Sequence, residues 1–246
     1  MFAIFKKELR SYFMNAIGYV YLGVFLALSG LLCCYTTLGS QTYDTSEYFS
    51  YMTMAFIILI PLLTMKLFSE EKKLRTEQLL LTAPVSIWGM VFGKFLAAFT
   101  LFFGSVVVSC INFFPLAAYH SAEKISEAYD SVGPVFSIIV SSTVGIILIG
   151  AAFIAIGLFI SSLTENQLAA AIITVAIILA MLVLNMVNGY IENTTIRAII
   201  DAVCFMSRFS NFSYGLLDPA ALVYYASIAG VFLLLTVRVY DKRRWG

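Results

Sequence analysis

The chain has 246 residues, of which 61% are hydrophobic and only 12% charged, and its mean hydropathy is +0.93. Soluble domains carry about twice that share of charge, so the composition excludes an ordinary water-soluble fold and points to a lipid bilayer. The net charge of +1 says little by itself; the placement of the charges says more.

In chain order, residues 2–13 read FAIFKKELRSYF, too charged for the apolar core of a signal peptide. Phe2, Phe5, Leu9, Tyr12 and Phe13 recur at helical spacing, with Lys6, Lys7 and Arg10 between them. That pattern predicts an amphipathic helix over 2–14 that lies in the membrane interface against lipid. Six stretches are then long and apolar enough to span a bilayer: about 17–38, 49–67, 86–116, 133–161, 168–188 and 218–239. The third and fourth have length to spare for tilt. The fold class is therefore all-α, a six-span polytopic membrane protein forming one domain over 1–246.

Orientation follows from the lysines and arginines. With the N-terminus in the cytoplasm, Lys6, Lys7, Arg10, Lys66, Lys72, Lys73, Arg75, Lys94, Arg238, Lys242, Arg243 and Arg244 fall inside. Only Lys124, Arg197 and Arg208 fall outside. Both termini are thus expected in the cytoplasm. Of the outer segments, 39–48 is short and polar, and 117–132 reads as a solvated loop. Segment 189–217 mixes Ile196, Ile199, Ile200, Val203 and Phe205 with Arg197 and Asp201. This predicts a short helix that dips back towards the interface or bundle, or one that packs on the outer mouth.

The chemistry of an enzyme is missing. Cys33, Cys34, Cys110 and Cys204 show no zinc or redox spacing and read as packing residues. His120 has no neighbouring second ligand. No ionisable residue falls near a span centre, which argues against a proton or ion pathway. Asn112, Asn185 and Asn188 read as helix–helix hydrogen-bonding or interfacial residues. GMVFGK, Gly89 to Lys94, is not a phosphate-binding loop: three residues separate its glycines, and Phe95 follows the lysine. Gly89 and Gly93 instead give a small-residue packing face, and Lys94 is expected to snorkel back to the interface. Sequons at Asn193 and Asn211 read as chance matches. No internal repeat supports an inverted-repeat transporter.

The main cytoplasmic element is the loop from Lys66 to Ser86. Leu74 to Thr82 predicts a helix ended by Pro84. Its leucines and mixed charges suit docking, apolar anchors giving affinity and charges giving register. The stretch FSEEKKLRTEQLLLTAPVSIWGMVFGKFLAA resembles the cytoplasmic coupling segment of ABC (ATP-binding cassette) type-2 transporter permeases. In that family an acidic pair, a basic run, Gly-Thr, a Glu-rich turn, Leu-Leu, Pro-Val-Ser and Gly-Lys follow one another. Glu70, Glu71, Thr76, Leu79, Leu80, Pro84, Val85, Ser86, Gly93 and Lys94 match, whereas Arg75 stands where the family has glycine and the order Glu77-Gln78 departs from the commoner one. The C-terminal SRFSNFSYGLLDPAALVYYASIAGVFLLLTVRVYDKRRW resembles the end of the gliding-motility-type branch.

The resemblance implies a non-catalytic transmembrane subunit of an ATP-driven exporter in the bacterial cytoplasmic membrane. Two permease chains, identical or different, would pair above two ABC ATPase subunits. ATP and Mg would bind the ATPase and no cofactor this chain. An additional membrane subunit is left open, and nucleic acid is not an expected partner. The 72–84 segment would be the coupling helix, with Glu70, Glu71, Lys73, Arg75, Thr76, Glu77, Leu79, Leu80 and Pro84 at the ATPase contact. Glu165, between Thr164 and Asn166, falls at the family's second, minor contact. Spans two and five would face the path, which nominates Thr53, Met54, Phe56 and Asn185. The alternative is a scaffold that passes ATP-driven motion to an extracytoplasmic partner without moving a substrate. A channel or secondary transporter would require intramembrane carboxylates or broken paired helices, and the sequence has neither.

Overall fold

A computed structural model describes residues 1–39, 44–78, 85–115, 136–188, 197, 200 and 204–245. Among these residues every regular element is helical. Helix α1 spans Phe2–Met14 and α2 spans Ala16–Cys33, the latter ending in a π-helical turn at Cys34–Leu38. Helix α3 covers Ser46–Thr64, and the short α4 covers Ser69–Lys73. Helix α5 covers Ile87–Ser109 and tightens into a 3₁₀ turn at Cys110–Asn112. Then come α6, Phe136–Leu163; α7, Gln167–Asn188; α8, Phe205–Ser213; and α9, Pro219–Trp245. Six helices are long and apolar enough to cross a membrane, as the sequence predicts.

Helix starts follow from local chemistry. Ser86 caps α5, its Oγ accepting from the Gly89 amide at 3.2 Å. Asn166 does the same for α7, accepting from Leu168 at 3.0 Å. Asp218 precedes α9 and accepts from Ala220 at 2.9 Å, with Pro219 at the first helical position.

Helix α6 is the centre of the bundle and packs against α3, α5, α7, α8 and α9. Its glycines explain how it takes so many neighbours. A Cβ on Gly150 would lie 2.2 Å from the Phe102 ring on α5, and one on Gly157 would lie 2.3 Å from Thr64 Oγ1 on α3. At Gly145 the Phe209 and Phe212 rings of α8 fill the gap, at 2.9 and 3.0 Å from such a Cβ. Small residues let backbones approach where lipid supplies no hydrophobic drive between helices.

Of segment 189–217, the predicted short helix around Ile196, Ile199, Asp201 and Val203 lies largely outside the described residues, and the described part is α8. Gly215, just beyond it, meets Ser137 at the start of α6, while Phe205 stacks on Phe153, well inside that span (ring centroids 4.9 Å apart). The helix therefore re-enters the bundle, its first residue deepest. The Phe205 carbonyl accepts from the buried Tyr225 hydroxyl at 2.6 Å, and the Phe212 carbonyl from Ser141 and Ser142. Asn112 behaves as predicted for a helix–helix residue, donating to Ser29 Oγ at 2.8 Å. His120, Lys124, Asn193 and the loop 117–132 lie outside the described residues.

Candidate functional site: a charged platform at one end of the bundle

Helix α1 lies across one end of the bundle. Asn15 is extended (φ −96°, ψ 150°), which breaks α1 from α2. Met1 and Ile4 pack on Gly89 and Gly93 in the first turns of α5. At its other end, the Tyr12 hydroxyl donates to the Leu63 carbonyl at the close of α3, at 2.8 Å. Burial holds the Tyr12 phenol well above its ordinary pKa, so it stays a neutral donor. The expected small-residue face of Gly89 and Gly93 is real, and its partner is the N-terminal helix.

Beneath α1 sits Lys94, only 1% exposed. The expectation that it snorkels to the interface is corrected here. Its ammonium meets Glu8 Oε1 and Glu71 Oε1, each at 3.0 Å, and donates to the Leu67 carbonyl at 2.6 Å. It also stands over the Phe68 ring, 5.0 Å from the centroid. The physical reason is that α1 and the loop after α3 bring two carboxylates to the lysine, so the charge is neutralised in place and needs no water. Lys7 shares both carboxylates, 3.3 Å from Glu71 and 3.6 Å from Glu8. Burial lowers the Lys7 pKa, but the two carboxylates outweigh that and raise it overall. Two ammoniums and two carboxylates thus form a neutral group joining α1, α4 and α5.

The loop from Met65 to Gln78 is tied elsewhere as well. Ser161 Oγ, on α6, accepts from the Phe68 and Ser69 amides at 3.1 and 3.2 Å. Lys72 donates to the Ser162 carbonyl and lies within electrostatic reach of Glu77, Glu165 and Arg243. Arg243, on α9, pairs with Glu77 at 2.8 Å, and Tyr240 packs its ring on Phe68 at 4.7 Å.

The start of the helix predicted over Leu74–Thr82 is corrected: Leu74, Arg75 and Thr76 lie outside it, and Leu79–Thr82 fall outside the described residues. Helix α4 stops at Lys73, and Arg75 adopts φ +56°, the only positive φ among described non-glycine residues. The Arg75 amide bonds to the Lys72 carbonyl and the Thr76 amide to the Glu71 carbonyl, at 3.0 and 2.9 Å. These two bonds make a Schellman closure, which normally carries glycine at the left-handed position. Helical geometry resumes at Glu77 and Gln78. Leu79, Leu80 and Pro84 lie outside the described residues.

The structure brings most of the predicted coupling residues to one place. Glu71 is committed to the buried group, Glu77 to Arg243, and Glu70 to Lys66 at 3.8 Å. Lys73, Arg75 and Glu165 are exposed. Sequence reasoning missed Glu8, Lys7, Ser161, Ser162 and Arg243. Of the residues named for the path, Thr53 and Phe56 are buried within this chain's own bundle, Thr53 donating to the Phe49 carbonyl at 2.9 Å. Met54, 47% exposed, and the half-buried Asn185 stand on its surface.

The fold and the platform define a multi-pass helical membrane protein with a charged end. A family model described as "ABC-2 family transporter protein" matches residues 34–238. The chain belongs to this family and is a transmembrane subunit of an ABC transporter; such permeases generally pair with an ABC ATPase. A search of curated proteins finds no match.

Proposed function

We propose that this chain is the membrane half of an ATP-driven exporter, paired with a second permease chain and driven by two ATPase subunits that bind ATP and Mg. The segment 72–84, with Glu70 and Glu71 before it, is the surface through which the ATPase acts, with Glu165 in the adjoining turn as a second contact. One observation carries the reading: the loop is fastened to α1 and α5 through Glu71, and to α6 and α9 by further buried or ionic contacts. A displacement applied to it is therefore delivered to several helices at once. Closure of the ATPase dimer supplies the difference in binding energy that shifts the bundle between states. The charged end then faces the cytoplasm of a bacterial cell. The path between the two chains is bordered by the surfaces carrying Met54 and Asn185, with Thr53 and Phe56 packed behind.

The test is a mild-detergent pull-down of the chain from its native membrane. A co-purified ATPase at equal stoichiometry supports the reading. Arg75→Glu combined with Leu80→Asp should release it while the bundle stays folded. Full ATPase retention by that double variant would remove 72–84 from the contact.

A further inference from the structure

Helix α1 has three distinct sides. Ile4, Glu8 and Tyr12 face the bundle and are buried or nearly so. Phe2, Phe5, Leu9 and Phe13 form a second, apolar side, and Phe2 is 76% exposed. Lys6, Lys7, Arg10 and Met14 form a third, bordering an open groove of about 650 Å³ that also touches Ala3, Ser11 and Asn15. Lys7 is spent on Glu8 and Glu71. Lys6 and Arg10 are exposed, and among the described residues neither has a carboxylate within ion-pair distance.

We propose that Lys6 and Arg10 form a binding site for the headgroup phosphate of an anionic phospholipid. This rests on the inward orientation proposed above. Because α1 lies across the bundle end, its apolar side is presented to the acyl region beside the spans. The basic side then stands at headgroup depth, where two unpaired cations meet a phosphate and the rings of Phe2 and Phe13 meet the chains. An acidic protein segment would match only the charge, whereas one lipid offers its phosphate to the cations and its chains to the neighbouring rings, so the lipid is the better occupant. The site has a consequence for the platform. Glu8 lies on the opposite side of α1 and is bonded to Lys94. A lipid that holds α1 in the interface therefore also steadies the loop that Glu71 anchors.

The experiment uses the full chain in nanodiscs of equimolar phosphatidylglycerol and phosphatidylcholine, with retained lipid counted by native mass spectrometry. Wild type should hold phosphatidylglycerol in preference to phosphatidylcholine. Lys6→Gln with Arg10→Gln should weaken that preference about 25-fold, at about fivefold per cation near a membrane surface. Lys242→Gln with Arg244→Gln removes two cations at the same end and should leave it intact. Equal loss in both double variants would reduce the effect to general surface charge and overturn the site. Displacement of the lipid by millimolar inorganic phosphate, with no preference for phosphatidylglycerol, would overturn the lipid as occupant. ATPase co-purification separates the two proposals: retained ATPase with no lipid preference sinks this site alone, whereas wild type without ATPase sinks the ATP-driven exporter reading.

Discussion

The two ends of the bundle are both polar, but they are joined by different chemistry. At the charged end, Lys94, Lys7, Glu8 and Glu71 form a group of full charges, with Lys94 out of contact with solvent. Towards the other end no ion pair joins the described residues: Arg208 stacks on Tyr224, Asn211 donates to Asp218, and the remaining links are neutral. Ser29 bonds Tyr48 at 2.8 Å and Asn112 at 2.8 Å, and Ser141 and Ser142 share the Phe212 carbonyl. A neutral hydrogen bond contributes about 1 kcal/mol and is readily exchanged for another. Lys7 is largely exposed, but Lys94, Glu8 and Glu71 are largely shielded from water, and losing one of these three leaves a charge that is poorly compensated. The charged end is thus suited to passing displacement on as a unit. The re-entrant α8 end is held by contacts that can be remade one at a time.

The sharpest way to break this contrast is Lys94→Met. It keeps most of the stem volume and leaves two carboxylates with only Lys7 between them. We expect a loss of about 3–5 kcal/mol, read as thermal unfolding of the detergent-solubilised chain. Adding Glu71→Gln should restore much of it; a second variant that only adds to the damage would show that Lys94 acts through packing, not charge. The next largest effect is expected from Ser161→Ala. It strips the acceptor from two buried amides, at a cost of about 1–3 kcal/mol. Hydrogen exchange should quicken at Phe68 and Ser69 before it does elsewhere, and unchanged exchange there would detach the loop from α6.

At the other end, Ser29→Ala should cost about 1 kcal/mol, since Tyr48 and Asn112 can turn to other partners. The same unfolding measurement checks it. A loss matching that of Lys94→Met would erase the distinction between the two ends.

The same contrast explains what was legible in the sequence. Spans can be read because about 20 apolar residues in a row have few other uses. Asn112 could be assigned to a helix–helix bond because a polar amide in lipid must find a partner. The partners of Lys94 were hidden, since Glu8 and Glu71 are 86 and 23 residues away on separate elements (94 minus 8 and 94 minus 71). One signal was present: Glu8 falls at four-residue spacing between Ile4 and Tyr12, on the side of α1 opposite its free cations. An acid on the inward side of an interfacial helix calls for a buried cation. Ser161 and Ser162 gave no such signal, because serines in a span serve equally as small packing residues.

Arg75 gives the smallest expected effect and the finest test. The sequence shows arginine where the family carries glycine, and the structure shows that position in the left-handed region, φ +56°. An L-residue there costs roughly 1–2 kcal/mol. Glycine removes that cost but returns about 0.4–1 kcal/mol through the greater freedom of the unfolded chain. Arg75→Gly should therefore stabilise the loop by between about 0 and 1.6 kcal/mol, and Arg75→Ala, which keeps the Cβ, should not stabilise it at all. Comparing the two separates backbone from side chain. If both variants lose the ATPase, the exposed guanidinium is itself a contact, and the strained turn is kept in order to present it. If both retain the ATPase and only glycine raises the unfolding temperature, the turn matters for its geometry alone, and the charged end is loaded through the residues that flank it.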